Sequence, residues 1–199
     1  GDLVQINTNT FAISLLKSGV GTARMFYIEA GGKIYFSNGI IIGYIEDEVV
    51  YDIPAPTIEF KRPMPAGRLL TFFKGRLLIA KDSYIFYSDV ADYNQYDGRS
   101  GILQFKSDVA LIAPVNDGFF VSDLSGTYFM RGTNPEKWVK ERVADYGAKE
   151  GPPAKIRALQ LGDYTVGNPV MWVSQKGLCV GGDGGFFKNL TESKYKLPV

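Results

Sequence analysis

One pattern recurs four times along this chain: a turn, four or five large apolar residues, one small residue and a polar turn. The small residues that end the apolar runs are spaced 43, 42 and 52 residues apart, and they are Ser37, Ala80, Ser122 and Ser174. A period of this length is typical of supersecondary units that stack against their neighbours. The period therefore favours architectures built from repeats of roughly forty residues.

Further apolar runs flank each copy, one before it and two after it. Around the first copy they read ARMFYIEA, IIIGYIE and EVVYDI, and the run before the fourth copy reads IRALQLG. Runs rich in Ile, Val, Phe and Tyr, separated by Gly, Asn and Asp, are typical of antiparallel strands joined by tight turns. The best helix candidate, WVKERVA within residues 134–147, alternates in polarity and favours a strand. The sequence thus predicts an all-β protein.

Four antiparallel strands in each repeat of forty-odd residues indicate the blades of a β-propeller. We predict four to five blades in a single domain covering residues 1–199. The fifth blade would combine the two ends of the chain, QINTNTFAISLL and SKYKLPV, which would close the ring and remove free strand edges. The alternative is a β-sandwich or an irregular barrel in which the periodicity arises by chance.

A proline-rich stretch, residues 51–67, interrupts the pattern between the first two repeats. It contains Pro54, Pro56, Pro63 and Pro65. Proline has no backbone N–H and favours extended polyproline conformation, so this stretch is expected to stop strand pairing. The stretch, called the proline segment below, is predicted to connect two blades or to serve as a docking place for another copy.

The stretch SDVADYNQYDG, residues 88–98, carries the acids Asp89, Asp92 and Asp97 among Tyr93 and Tyr96. We call it the acidic loop. Its spacing does not match a calcium-binding loop, and no second carboxylate can be assigned to face any of these acids across a sugar. The favoured interpretation is that Asp89 and Asp97 cap turns through their side chains while the two tyrosines cover the loop. No catalytic residue, metal site or cofactor is predicted.

Composition removes several classes of chemistry. The chain contains no histidine and one cysteine, Cys179, which excludes Ser-His-Asp and Cys-His catalysis, histidine-ligated zinc and an internal disulfide. The net charge of +1 gives no electrostatic footprint for nucleic acid. No apolar run is long enough for a membrane-spanning helix. The run GGDGGFF is interpreted as a hairpin turn rather than a phosphate loop. The glycosylation sequon at Asn189 is expected to carry no glycan.

Several segments resemble a family of tailed-bacteriophage virion proteins. They are FYSDVADYNQYDG, DVALIAPVNDGFFVSDLSGTYFMRGTNP, RVADYGAKEGPPAKI and VMWVSQKGLCVGGDGGFFKNLTESKYKLP. The similarity runs from about Gly31 to Pro198, and the FYSD element is also similar to the propeller-type tail nozzle proteins of short-tailed phages. Those virion proteins carry a longer insert between the first two blades, whereas here the proline segment crosses directly.

The resemblance implies a non-enzymatic structural component of the tail or head-to-tail neck, made in the bacterial cytoplasm and assembled with other virion proteins as a ring of several copies. Loops carry contacts on rigid scaffolds, so the candidate assembly contacts lie in the acidic loop and the proline segment. They are Asp89, Asp92, Tyr93, Tyr96, Asp97, Pro54, Pro56, Pro63 and Pro65. The alternative function is a propeller that binds or cleaves carbohydrate for host recognition.

Overall fold

A computed structural model describes residues 1–161 and 164–192, and these residues form an all-β protein with several small antiparallel sheets. The first eleven strands are β1 (Leu3–Ile6), β2 (Ile13–Lys17), β3 (Phe26–Ala30), β4 (Lys33–Ser37), β5 (Ile42–Glu46), β6 (Val49–Asp52), β7 (Lys61–Pro63), β8 (Leu69–Phe73), β9 (Arg76–Lys81), β10 (Tyr84–Tyr87) and β11 (Gln95–Asp97). The others are β12 (Ile102–Gln104), β13 (Leu111–Pro114), β14 (Gly118–Asp123), β15 (Gly126–Arg131), β16 (Val139–Ala144), β17 (Ala154–Lys155), β18 (Ala158–Leu161), β19 (Tyr164–Gly167), β20 (Val170–Ser174), β21 (Gly177–Gly182) and β22 (Phe186–Asn189).

Two short 3₁₀ turns, Pro135–Lys137 and Asp183–Gly185, complete the described elements. No helix in residues 1–161 and 164–192 is long and apolar enough to cross a membrane. The first turn is followed by β16, which contains VKERVA, so the strand predicted for WVKERVA is confirmed from Val139 onward. It pairs with β15 from Val139 to Ala144.

Four of the sheets contain four strands each, one for every repeat in the sequence. Their orders are β3-β4-β5-β6, β12-β10-β9-β8, β13-β14-β15-β16 and β17-β20-β21-β22. The recurring apolar run of each repeat forms one of the two inner strands of its sheet. These strands are β4, β9, β14 and β20. The predicted run of four strands per repeat is thus confirmed at the level of sheets, whereas the arrangement of the sheets as propeller blades remains a prediction.

The first strand of the fourth sheet differs from the prediction. The run IRALQLG contains β18, which pairs with β19 in a separate hairpin, and the two-residue strand β17 lies beside β20 instead. The reason is loop closure: β19 follows β18 after two residues, so their pairing loses less chain entropy than pairing with β20. At the chain ends, β1 and β2 form a two-stranded hairpin, and SKYKLPV lies outside the described residues.

Contacts within the chain define two compact units. The first comprises residues 1–72, 76–81 and 86–102, and the second comprises residues 73–75, 82–85 and those from 103 onward.

In the first unit, the first four-stranded sheet is covered on both faces. Neighbouring residues of a strand point to opposite faces, and Tyr35 and Phe36 of β4 do so here. Tyr35 packs with Leu77 and Ile79 of β9, while Phe36 packs with Leu3 of the N-terminal hairpin. All five side chains are at most 5% exposed. This two-sided burial explains why β4 is apolar at successive positions.

In the second unit, the third and fourth four-stranded sheets share one core. Phe120 and Phe129 of the third sheet pack with Trp172 and Cys179 of the fourth. The Phe120 and Trp172 ring centroids lie 5.4 Å apart. Gly181 faces the Phe120 ring, where an added Cβ would lie 2.4 Å from a ring carbon. The sheets approach closely at this point because the residue is glycine.

In two of the four repeats, the small residue is a serine that binds the segment leaving its own sheet. The Ser37 hydroxyl accepts a hydrogen bond from the Gly67 N–H at 3.0 Å, and its oxygen lies 2.8 Å from the Gly67 carbonyl oxygen. The Ser122 hydroxyl likewise accepts the Ala148 N–H at 2.7 Å. Both serines are fully buried. Each hydroxyl therefore holds the chain segment that leaves its own sheet, and we call these contacts the serine ties.

The second repeat has Ala80 at the equivalent position, which has no hydroxyl. Its carbonyl accepts the N–H of Arg68 at 2.9 Å, just before the first strand of its own sheet. The Ser122 carbonyl accepts the N–H of Ala110 at 2.8 Å in the same way. The second repeat therefore has the same backbone hydrogen bond as the third repeat, but no side-chain hydrogen bond at Ala80.

Candidate functional site

The proline segment and the acidic loop meet in the first unit. Strands β7 and β11 pair antiparallel and align Lys61 with Asp97 and Pro63 with Gln95. The expectation that the proline segment contains no paired strand was therefore wrong. Pro63 is compatible with pairing because it occupies the end of a three-residue strand in a two-stranded sheet, where few ladder bonds are required.

Lys61 connects the acidic loop to the proline segment electrostatically. Its ammonium lies 2.6 Å from one Asp89 oxygen and 3.9 Å from an Asp97 oxygen. The Lys61 side chain is 17% exposed, so this ion pair is better shielded from water than a typical surface pair. Asp89 therefore forms an ion pair with Lys61, in contrast to the predicted turn cap.

Asp97 has the role that the sequence predicted, and an additional partner. Its carboxylate accepts the Arg99 N–H at 2.9 Å, which caps the turn. The Arg99 guanidinium also donates to both Asp97 oxygens, at 3.1 and 2.8 Å. These hydrogen bonds hold the pKa of Asp97 well below its usual range. Asp97 is therefore ionised at neutral pH, where its carboxylate holds the turn and the Arg99 side chain.

Asp92 holds together the tip of the loop. Its carboxylate accepts the Gln95 side-chain N–H at 2.6 Å and the Asn94 backbone N–H at 3.4 Å. The Asn94 side-chain oxygen in turn accepts the Tyr35 hydroxyl at 3.1 Å. The loop tip is therefore connected to the first four-stranded sheet through a polar chain.

The two loop tyrosines anchor the loop to the core. The Tyr93 ring packs edge-on against Tyr35 and Phe72, with centroid distances of 6.0 and 5.6 Å. The Tyr96 ring packs edge-on against Phe86 at 5.1 Å. Edge-on aromatic pairs of this kind stabilise the packing beyond their buried area. Each ring therefore helps to fix the loop in one conformation, with part of its surface left accessible.

A groove of about 330 Å³ lies between the two segments. One wall is formed by residues 54–58 and the other by Asp92, Asn94 and Gln95. The groove thus brings together Pro54, Pro56 and Asp92 of the predicted contact residues. Asp89, Tyr93, Tyr96, Asp97, Pro63 and Pro65 do not line it. The sequence carried no signal for the groove, because its walls are about 35 residues apart along the chain.

The remaining candidates from the sequence are parts of the fold. Cys179 is fully buried, and burial raises the pKa of its thiol. GGDGGFF forms the turn between β21 and β22, as predicted, with Gly184 in the left-handed region at φ 72°. The Gly184 N–H is bound by the Asp117 carboxylate at 2.9 Å. An amide that a phosphate loop would present to its ligand is therefore occupied by a protein anion.

The sequon asparagine is also engaged. Asn189 is 7% exposed, and its side-chain amide donates to the Tyr146 hydroxyl at 3.2 Å and to the Lys176 carbonyl at 2.9 Å.

In the part of the chain that the structure describes, no group of three or more Cys, Asp or Glu residues is placed to hold a metal ion. A comparison with protein-family models and with curated proteins finds no match to this chain.

Proposed function

We propose that this protein is a non-enzymatic structural component of a bacteriophage virion, located in the tail or the head-to-tail neck. Its four-stranded sheets would be the blades of a propeller, completed by the N-terminal hairpin and the end of the chain. Several copies would assemble as a ring together with other virion proteins.

The observation that carries this proposal is the repetition of one structural unit. Four sheets of four strands follow one another along the chain, and the serine ties recur in the first and third. A closed array of such sheets has few free edges and is rigid, which suits a part that bears load in an assembly. The phage assignment itself rests on the sequence resemblance.

The acidic loop adds support through its side-chain partners. The Asp89 and Asp97 carboxylates are bound by Lys61 and Arg99, and Asp92 is bound by Gln95. A catalytic carboxylate needs a reacting group within hydrogen-bond distance and a pKa suited to proton transfer. Here the three acids stabilise the loop, and a rigid loop is a good surface for protein contacts.

The test is the composition of the particle. Virions purified from a host that produces this chain should contain it, as detected by mass spectrometry, and imaging should place it as a ring at the tail or neck. Light scattering on the isolated chain should show a defined multiple of 22.0 kDa at working concentration. Absence of the chain from purified particles would refute the proposal.

A second candidate function, binding of a neutral oligosaccharide, is favoured by the groove. Asp92, Asn94 and Gln95 offer carboxylate and amide groups, which bind sugar hydroxyls, opposite an apolar wall of proline and isoleucine. Asp92 is the one carboxylate among the residues that line it, so the groove favours binding over cleavage, which requires two.

Glycan-array binding and calorimetry test this candidate. Gln95→Ala should weaken binding of any glycan hit, because Gln95 lines the groove. Gln104→Ala is the matched control, because Gln104 is an exposed glutamine of β12 outside the groove. A full array without hits would dispose of the candidate, and so would equal weakening by both variants.

A further inference from the structure

The groove between the proline segment and the acidic loop is rich in hydrogen-bond acceptors. Within residues 1–161 and 164–192, the carbonyl oxygens of residues 54–57 accept no backbone N–H. Two of the residues on this wall, Pro54 and Pro56, have no N–H to donate in return. The proline wall therefore presents more acceptors than donors, beside the apolar surface of its rings and of Ile58.

The opposite wall carries a negative charge that no cation compensates. Asp89 and Asp97 each have a basic partner, whereas no basic side chain in the part of the chain that the structure describes lies within ion-pair distance of Asp92. One Asp92 oxygen accepts the Gln95 side-chain N–H at 2.6 Å. The other accepts only the Asn94 N–H at 3.4 Å, which is long for a hydrogen bond. This second oxygen can therefore accept a stronger donor.

These features define the complementary ligand. It carries a positive charge, donates hydrogen bonds without accepting them, and has an apolar portion for the proline wall. A lysine side chain combines an ammonium group, with three donors and no acceptor, and an aliphatic stem that lies along apolar surface. Arginine fits less well, because its planar guanidinium binds a carboxylate best through both oxygens and Gln95 occupies one of them.

We propose that the groove binds a lysine side chain of a neighbouring protein chain. Its volume of about 330 Å³ lies at the lower end of the range for ligand sites, which suits one side chain better than a peptide segment. The inference rests on the assembly function proposed above, since it names the group by which a partner would be held.

The contact is weak when it is made once. Asp92 is half-buried, so its ion pair with a lysine is partly screened by water and salt. In a ring of several copies the same contact is made several times, and linked weak contacts give a strong total attachment. Raising the salt concentration should therefore weaken both the single contact and the assembly.

Titration of the isolated chain with N-acetyl-lysine N-methylamide, followed by NMR, tests the site. The side-chain amide signals of Asn94 and Gln95 should shift, and the norleucine analogue, which lacks the ammonium, should shift them far less. Asp92→Asn can still accept the Gln95 N–H and should weaken binding of the lysine probe about five- to tenfold. Asp47→Asn is the matched control, because it removes the same charge from an exposed position outside the groove.

Carbodiimide treatment of purified particles tests the source of the lysine, because this reagent joins a carboxylate to an amine in contact with it. Mass spectrometry should find Asp92 joined to a lysine of another chain. A lysine probe that binds without any such crosslink in the particles would indicate a free amine as ligand and overturn the proposal.

Three results of the titration would also overturn the proposal. The first is no shift with the lysine probe, the second is equal shifts with the norleucine analogue, and the third is equal weakening by Asp92→Asn and Asp47→Asn. A neutral glycan that binds where the lysine probe does not would assign the groove to sugar. Failure of the virion assignment is distinguishable, because the chain would then be absent from particles while the titration still decides what the groove binds.

Discussion

Replacing Ser37 with alanine tests whether the serine ties stabilise the fold. The Ser37 hydroxyl accepts the Gly67 N–H at 3.0 Å and lies 2.8 Å from the Gly67 carbonyl oxygen. Gly67 is buried, so water cannot replace the missing oxygen. Alanine keeps the backbone of β4 unchanged. The substitution removes the tie together with a second contact, because the Ser37 hydroxyl also lies 2.8 Å from the Ile41 carbonyl oxygen.

The expected loss of stability comes from the Gly67 N–H, which would be left without a hydrogen-bond acceptor. Leaving a buried N–H without an acceptor lowers the free energy of unfolding by about 1–3 kcal/mol. For a chain of this length, each 1 kcal/mol corresponds to a decrease in melting temperature of about 2–4 °C. The second serine tie predicts the same range for Ser122→Ala, because the Ala148 N–H would lose its acceptor at 2.7 Å.

Urea unfolding followed by circular dichroism measures both changes. Ser100→Ala is the control for Ser37→Ala, because Ser100 is an exposed serine of the same unit. The control should stay within about 0.5 kcal/mol of the wild type. Tryptophan fluorescence adds a local probe of the second unit, which contains Trp138 and Trp172. A Ser37→Ala chain as stable as the Ser100→Ala chain would refute the role of the tie.

Three further predictions concern buried positions. Gly67→Ala should lower the free energy of unfolding by about 1–3 kcal/mol, because the new Cβ would lie 2.3 Å from the Ala80 carbonyl oxygen; urea unfolding measures this, and a neutral result would contradict the packing. The Cys179 thiol should react with a thiol reagent only as fast as the second unit opens, and rapid labelling in native buffer would contradict its burial. Burial raises the pKa of Tyr146 to about 12, so its neutral form contributes stability that is intact below about pH 10 and is lost as pH rises toward 12; stability should fall less steeply over this range in Tyr146→Phe, and parallel curves would contradict this.

The strand pattern was predictable because burial on both faces leaves a direct mark on the sequence. In β14 all six residues from Gly118 to Asp123 are buried, and the apolar core of this strand stood out as a repeat element. WVKERVA could be assigned as a strand from its alternation alone. The strand β17 was missed because its two residues, Ala154 and Lys155, are both exposed and carry no apolar signal.

The candidate site was less predictable, because it depends on contacts between distant parts of the chain. Lys61 binds Asp89 across 28 residues, and no local spacing indicates such a pair. Asp97 could be assigned to a turn because its partner, the Arg99 N–H, is two residues away. Local hydrogen bonds are thus visible in a sequence, whereas ion pairs and grooves appear only when the fold is known.

The serine ties have a consequence for the native-state dynamics of the chain. Amide hydrogen exchange is slow where an N–H is both buried and bonded, whatever the secondary structure around it. Gly67 lies outside the paired strands and Ala148 forms only an isolated bridge with Ser174, yet the amides of both residues meet both conditions. Their exchange should therefore be as slow as that of neighbouring strand amides, so a map of protected amides would extend beyond the strands into the connecting segments.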